Sequence, residues 1–378
     1  MYISTYEELE SFCARAAAFD AVAFDTEFLR EKTFHPRLCL VQAATPDECV
    51  VIDPIVLEDL TPLADLMTNE SVLKVFHACS QDMEVIYRAL GVLPTPIFDT
   101  QVAAAFLGER VQISYNGLVH AFCGVTLPKS ESLTDWSRRP LTPQQIDYAV
   151  DDVRYLIDAY AEIKRRLEEL GRTWWVADEM RPLSKLSHYV VEPRQAYRRV
   201  KRINSCTRRQ LAIARELAAW RERRADRMDV PRKWIMSDEV LLALIKHVPR
   251  DAGDFRRIRG TEHLSDLDIE AALTAIGNGV RCPADNMPSP TAARRHAPSP
   301  EAESVCDLMY ALLRLVSERS GVATSVIASR DDLYDYIDHP ERSPLREGWR
   351  FELVGSLLDD LLSGNMGLTV KDGRVETL

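Results

Sequence analysis

The 378-residue chain contains no uncharged apolar run approaching the ~20 residues that a membrane-spanning helix needs. Its longest runs, such as Val240-Leu241-Leu242-Ala243-Leu244-Ile245, suit the core of a strand or helix. The first ten residues, Met1 to Glu10, lack the basic start and apolar stretch of a secretory signal, so a cytoplasmic chain with no membrane partner is expected. Paired cysteines are missing too. The eight, at 13, 39, 49, 79, 123, 206, 282 and 306, form no Cys-x-x-Cys and have no histidines at zinc-ligand spacing. They are expected to be reduced thiols packed as small apolar groups, which excludes a disulfide scaffold and a structural zinc. Net positive charge is lacking as well: at −11, the total argues against a nucleic-acid partner.

The distribution of that charge argues the other way. Residues 193–260 hold 19 Lys/Arg against 8 Asp/Glu, a local +11, which leaves −22 for the rest of the chain. Alternating ion pairs on a solvated helix, as in Arg221-Glu222-Arg223-Arg224-Ala225-Asp226-Arg227, would give the same count, so charge alone does not decide. The length suggests two or three domains. Residues 21–24, 38–42, 49–54 and 73–76 read as short buried strands. A helix capped by Ser80 and stopped by Gly91 follows the last of them, and residues 144–170 have helical periodicity. Strands alternating with helices make this an α/β domain. From about 205 only helical patterns remain, near 207–226, 237–248 and 303–365. They are interrupted at 281–302, where 5 of the chain's 20 prolines mark a linker.

Three acidic elements lie in the α/β part. Asp25 and Glu27 follow the first apolar strand, and positions i and i+2 of a strand face the same way. Brought together out of water they repel, and a hard divalent ion between them relieves the repulsion. Asp82 stands in the first turn of the helix after Ser80, where the dipole favours an acid in any case. Tyr148 and Asp152, at i and i+4, share a helix face, whereas Asp151 points about 100° away. Each element alone is common.

Taken in order, Asp25-x-Glu27, Asp82 and Tyr148-x-x-x-Asp152 resemble the DEDD superfamily of 3′→5′ exonucleases, in the subclass with tyrosine in its third motif. The flanks Val22-Ala23-Phe24-Asp25-Thr26-Glu27-Phe28, His77-Ala78-Cys79-Ser80-Gln81-Asp82-Met83-Glu84-Val85, Phe98-Asp99-Thr100-Gln101-Val102-Ala103-Ala104 and Lys129-Ser130-Glu131-Ser132-x-x-x-Trp136-x-x-Arg139-Pro140-Leu141 are similar to the ribonuclease D family. The stretch from Leu211 through Asp229-Val230-Pro231-Arg232 to Leu241 resembles an HRDC domain.

The resemblance implies a ribonuclease H-like exonuclease domain, a mixed sheet flanked by helices, over 1–200. It further implies an HRDC domain over 205–282, a Pro-rich linker over 283–302 and a second, divergent HRDC-like helical domain over 303–378. It implies two divalent ions, Mg²⁺ or Mn²⁺, with Asp25, Glu27 and Asp152 on the first and Asp25 and Asp82 on the second. Tyr148 would orient the attacking water. His77, Gln81, Phe28, Lys129 and Arg139 are candidates for touching substrate. Phe34 is a further stacking candidate, and Arg221, Arg223, Arg224 and Arg227 are candidates for a nucleic-acid grip. The expected activity is exonucleolysis of RNA, tRNA precursors with 3′ extensions among the substrates, by a monomer that needs no obligate protein partner. A DNA 3′→5′ exonuclease and a non-catalytic RNA-binding protein on the same fold remain alternatives.

Overall fold

The computed structural model describes residues 1–127, 134–289 and 299–378. They divide into two compact units, one built from residues before 28, from 39 to 185 and from the C-terminal segment, the other from 28–38 and from 186 onward to the Pro-rich stretch. Among the described residues no helix is long and apolar enough to cross a membrane.

The first unit is organised by a six-stranded sheet in the order β1-β4-β3-β2-β5-β6. Its strands are β1 (Tyr2–Ile3), β2 (Ala21–Leu29), β3 (Arg37–Ala44), β4 (Cys49–Ile52), β5 (Leu73–Phe76) and β6 (Ile97–Asp99). β1 runs parallel to β4, β2 to β5 and β5 to β6, while β3 and β4 are antiparallel, so the sheet is mixed. Both faces of the centre are covered, which is why Val22-Ala23-Phe24 is an unbroken buried run rather than an alternating one. The flanking helices are α1 (Tyr6–Ala16), α2 (Thr61–Thr68), α3 (Ser80–Leu90), α4 (Thr100–Ala105), α5 (Tyr115–Cys123), α6 (Pro143–Arg154), α7 (Leu156–Glu169) and α8 (Thr173–Met180). The helical span expected over 144–170 is two helices. The chain breaks at Tyr155, whose N–H donates to the Tyr115 hydroxyl at 3.3 Å.

The second unit holds α9 (Leu186–Tyr189), α10 (Arg208–Met228), α11 (Arg232–Ile235), α12 (Asp238–His247), α13 (Ala252–Arg256) and α14 (Asp266–Val280). Thr207 and Gln210 form a capping box at the start of α10. Leu217, Leu241, Leu244, Phe255 and Ile276 meet beneath it. α10 and α14 touch so closely at Gly279 that a Cβ there would lie 2.4 Å from the Ile213 Cα. Residues 28–38 belong here because the Asp229 carboxylate accepts the N–H groups of Phe34 (3.0 Å) and His35 (3.1 Å), while Arg232 lies 5.5 Å over the Phe34 ring.

The C-terminal helices are α15 (Pro300–Ser320), α16 (Thr324–Ile327), α17 (Arg330–Asp338), α18 (Gly348–Arg350) and α19 (Ser356–Ser363), followed by the hairpin β7 (Leu368–Lys371) and β8 (Arg374–Thr377). The sequence suggests a separate third body. Instead these helices share one apolar core with the α/β part. The Trp349 indole packs 5.0 Å from the Phe106 ring and 5.4 Å from that of Trp175. Arg172 donates to the carbonyls of Phe106 and Ser320, both at 2.6 Å, and Glu179 accepts from the Trp349 indole and from Arg350. The first unit therefore runs to Lys185 along the chain and resumes with the last helices. Trp349→Ala empties a site that is 1 % exposed, and should cost about 3–5 kcal/mol by thermal or urea unfolding. A loss below 1 kcal/mol would mean that the C-terminal segment is not part of this core.

Candidate active site

Asp25 and Glu27 project from one face of β2, carried by the buried run that precedes them. Asp82 enters from the first turn of α3, and that turn is shaped from outside the helix. Ala78 takes a left-handed backbone conformation (φ 60°), held because the Asp99 carboxylate accepts the N–H groups of Ala78 (3.1 Å) and Cys79 (2.8 Å). The same carboxylate caps α4 through Gln101 (2.8 Å) and Val102 (3.3 Å). The sequence reading makes Ser80 the cap of α3. The helix begins there, but Cys79 is its N-cap and no side chain of its own caps it. Asp152 and Tyr148 face the cluster from α6, which ends at the Tyr155 break three residues later.

The electrostatics follow from placing like charges together away from water. Burial, then Asp82, Asp152 and Glu27, hold Asp25 well above the usual carboxylate range. Burial, then Asp152 and Asp82, push Glu27 up to about 8. Asp82 rises to about 7 through burial, although the Thr26 hydroxyl donates to it at 2.5 Å. Burial also lifts Asp152 to about 7, against the pull of a hydrogen bond from the Tyr148 hydroxyl. Asp151 is turned away, paired with Arg154 at 2.9 Å.

Among the described residues, no three His, Cys, Asp or Glu side chains already converge as ligands of one ion. The donor set itself fits a hard divalent ion: all oxygen, all acidic, and each member raised by burial, with Asp25 and Glu27 raised further by their neighbours' charge.

The other sequence candidates fall differently. Both ring nitrogens of His77 are engaged at 3.0 Å, Nδ1 with the Thr100 hydroxyl and Nε2 with the Ile113 carbonyl, so it braces the β5–α3 connection. Gln81 is exposed at the start of α3, and Phe28 is half-buried at the end of β2. Lys129 lies outside the described residues. Arg139 is not free for phosphate: its guanidinium is bound to the fully buried Asp53 and to three backbone carbonyls. Arg221 is buried, donating to the Met236 carbonyl and to Asp238, and Arg224 pairs with Asp268. Arg223 and Arg227 remain exposed, at i and i+4 on α10. Sequence reasoning gave no role to Asp99, Thr26, Asp53 or Tyr115. Asp99, between a strand and a helix, carries an N-cap signal that could have found it.

Glu27, Asp82 and Asp152 titrate near 8, 7 and 7 in the folded chain, against ordinary values of 4.5, 3.8 and 3.8. The folded state then binds more protons than the unfolded one, so this stabilisation is complete below about pH 4 and is lost as pH rises through about 8. Chelator-treated protein should melt at progressively lower temperature between about pH 4 and 8, with a shallower decline in Asp25→Asn. Added Mg²⁺ should raise the melting temperature most at the upper end. A flat profile, or an Mg²⁺ shift independent of pH, contradicts the repulsion.

Comparison with known proteins agrees with this geometry. Residues 1–168 match the 3′-5′ exonuclease family model, and residues 210–263 match the HRDC domain. The chain is 41% identical to the ribonuclease D of Sphingobium indicum, covering 99% of this chain and 97% of the relative. It is 38% identical to that of Bartonella henselae, covering 99% and 93%. The crystal structure of Escherichia coli RNase D, an exoribonuclease involved in structured RNA processing, superimposes with a TM-score of 0.82 at 32% identity, covering 96% of this chain and 98% of that one. Matched over nearly its whole length in sequence and in fold, the chain belongs to the ribonuclease D family of divalent-metal-dependent 3′-5′ exoribonucleases.

Proposed function

We propose that Asp25, Glu27, Asp82 and Asp152 hold two divalent ions, Mg²⁺ or Mn²⁺, and that with Tyr148 they hydrolyse RNA one nucleotide at a time from its 3′ end, releasing nucleoside 5′-monophosphates. The observation that carries this is the set of four carboxylates from three elements, all raised by burial, with Asp25 and Glu27 raised further by their neighbours' charge. Bound there, divalent metal supplies an acidified water and positive charge opposite the departing oxygen. Asp25, Glu27 and Asp152 would hold one ion and Asp25 and Asp82 the other. Tyr148, whose hydroxyl already donates to Asp152, orients the attacking water. One chain supplies every residue named, so no partner subunit is required.

The substrates we infer are tRNA precursors with 3′ extensions and other small structured RNAs, gripped by the basic first helical unit through Arg223 and Arg227. The last helices support the reading of a second, divergent HRDC-like element. α10 and α15 are both 21 residues long; each is followed by a four-residue helix and then by a serine-capped one. Val230 corresponds to Val322, Ile235 to Ile327, Ser237 to Ser329 and Leu241 to Leu333, a constant offset of 92 positions (322 against 230). At that offset the buried Arg221 becomes the buried Leu313, so the copy has kept the packing and lost the charge.

EDTA and Asp25→Asn should each abolish release of 5′-monophosphates from a 3′-extended tRNA, with folding intact by circular dichroism. Asp152→Asn should be severe and Asp151→Asn nearly silent; the reverse would place the metal ligand on the wrong helix face. Matching single-stranded DNA, cleaved as fast as RNA, would favour a DNA exonuclease. Reversing the charges of Arg223 and Arg227 should weaken tRNA binding and flatten its salt dependence, by roughly 0.7–0.9 in log–log slope for each phosphate no longer neutralised. Turnover of short oligonucleotides should stay unchanged. Unaltered affinity and slope would make α10 a merely solvated face.

A further inference from the structure

Arg139 and Asp53 form a closed unit in the exonuclease fold. Asp53 directly follows β4 and its side chain is 0% exposed; that of Arg139 is 18% exposed. The guanidinium has five N–H groups, and five bonds are made. Nε donates to Asp53 Oδ2, Nη2 to Asp53 Oδ1 (2.6 Å) and to the Cys39 carbonyl (2.8 Å), and Nη1 to the carbonyls of Trp136 and Arg138, both at 2.8 Å. Asp53 is saturated in turn by the Tyr2 hydroxyl and by the Ile55 N–H at 3.0 Å. No donor is left for a phosphate.

The bond to the Trp136 carbonyl gives this unit a second consequence. Trp136 is 6% exposed, and its indole lies along the Tyr148 ring, with centroids 5.9 Å apart and planes 32° from each other. The described part of its segment has one further polar tie to α6, from Gln145 Nε2 to the Thr134 hydroxyl at 2.9 Å. Among the described residues, Asp135 bonds to its near neighbours Ser137 and Arg138. The indole therefore stands where the Arg139–Asp53 fork holds its backbone, and the Tyr148 ring rests on it while its hydroxyl reaches Asp152.

We infer that the Asp53–Arg139 pair is a positioning element for Tyr148: by fixing the Trp136 backbone to the end of β4, it sets the wall that aims the Tyr148 hydroxyl at the reacting centre. The inference rests on the proposed role of Tyr148. A planar fork that joins a carboxylate to carbonyls in two directions cannot be reproduced by the point charge of lysine. Misplacement of a catalytic group by an ångström can cost about 100-fold.

The test is a double-mutant cycle on the full-length, metal-loaded enzyme, with kcat and KM measured on a 3′-extended RNA. Arg139→Lys should lower kcat between about 10- and 100-fold with KM unchanged. In the Tyr148→Phe background the same substitution should lower it no further, because the group it aims is already gone. Trp136→Phe, which leaves the ion pair intact, should show the same non-additivity and serves if Arg139→Lys does not fold. Multiplicative losses in the cycle, or an unchanged kcat in Arg139→Lys, overturn the inference. So does a raised KM with kcat intact, which would make Arg139 a direct substrate ligand. If Tyr148→Phe is itself silent, the role proposed for Tyr148 fails, and the positioning inference falls with it. A slow Tyr148→Phe with multiplicative losses sinks the positioning inference alone.

Discussion

The burial of four acidic groups, Asp25, Glu27, Asp82 and Asp152, at one site is the constraint around which the first unit is built. Left to themselves, four carboxylates would move into water or take up protons; here burial raises all four, and neighbouring charge raises Asp25 and Glu27 further. Holding them in place takes rigid supports on every side. β2 is anchored by a run buried on both faces. Asp99 ties the start of α3 to the start of α4. The Tyr115 hydroxyl accepts the Tyr155 N–H where α6 ends, and the Asp53–Arg139 fork secures the segment beside Tyr148. One of these supports is an apolar run and the others are polar groups bonded to partners, so the cost of the site is carried by the scaffold and can be relieved by a cation.

The uneven charge of the chain finds its explanation in the same arrangement. The basic residues concentrate in the second unit, yet most of those with known partners there are spent internally, Arg221 on Asp238, Arg224 on Asp268 and Arg215 on Glu216. Local charge is therefore a poor guide to how much of it the unit presents to solvent, where Arg223 and Arg227 are exposed. The C-terminal helices repeat the plan of α10–α12 but turn their apolar residues onto the exonuclease core, where Trp349 closes over Phe106 and Trp175.

Much of this was legible in the residues themselves. β2 to β5 appear as apolar runs, and strand and helix periodicity alone put Asp25 with Glu27 and Tyr148 with Asp152. What was illegible had tertiary causes. β1 is two residues long and β6 three, too short to show a period. The α6–α7 break is marked by no breaker residue, and the hydroxyl that meets it comes from 40 residues away. Arg139 and Arg221 read as free cations because their partners, Asp53 and Asp238, are brought up by the fold. The apolar face of α15 looks the same in sequence whether it closes its own domain or completes another.

Calorimetric titration of Mn²⁺ into the chelator-treated chain, repeated in buffers of different ionisation enthalpy, addresses the central claim most directly. If the carboxylates are held partly protonated by burial and neighbouring charge, metal binding near pH 7 must release protons, and the release must shrink toward zero as pH approaches about 9. Asp25→Asn should lose most of the binding. Mn²⁺ binding without proton release at pH 7, or undiminished binding in Asp25→Asn, would contradict the account.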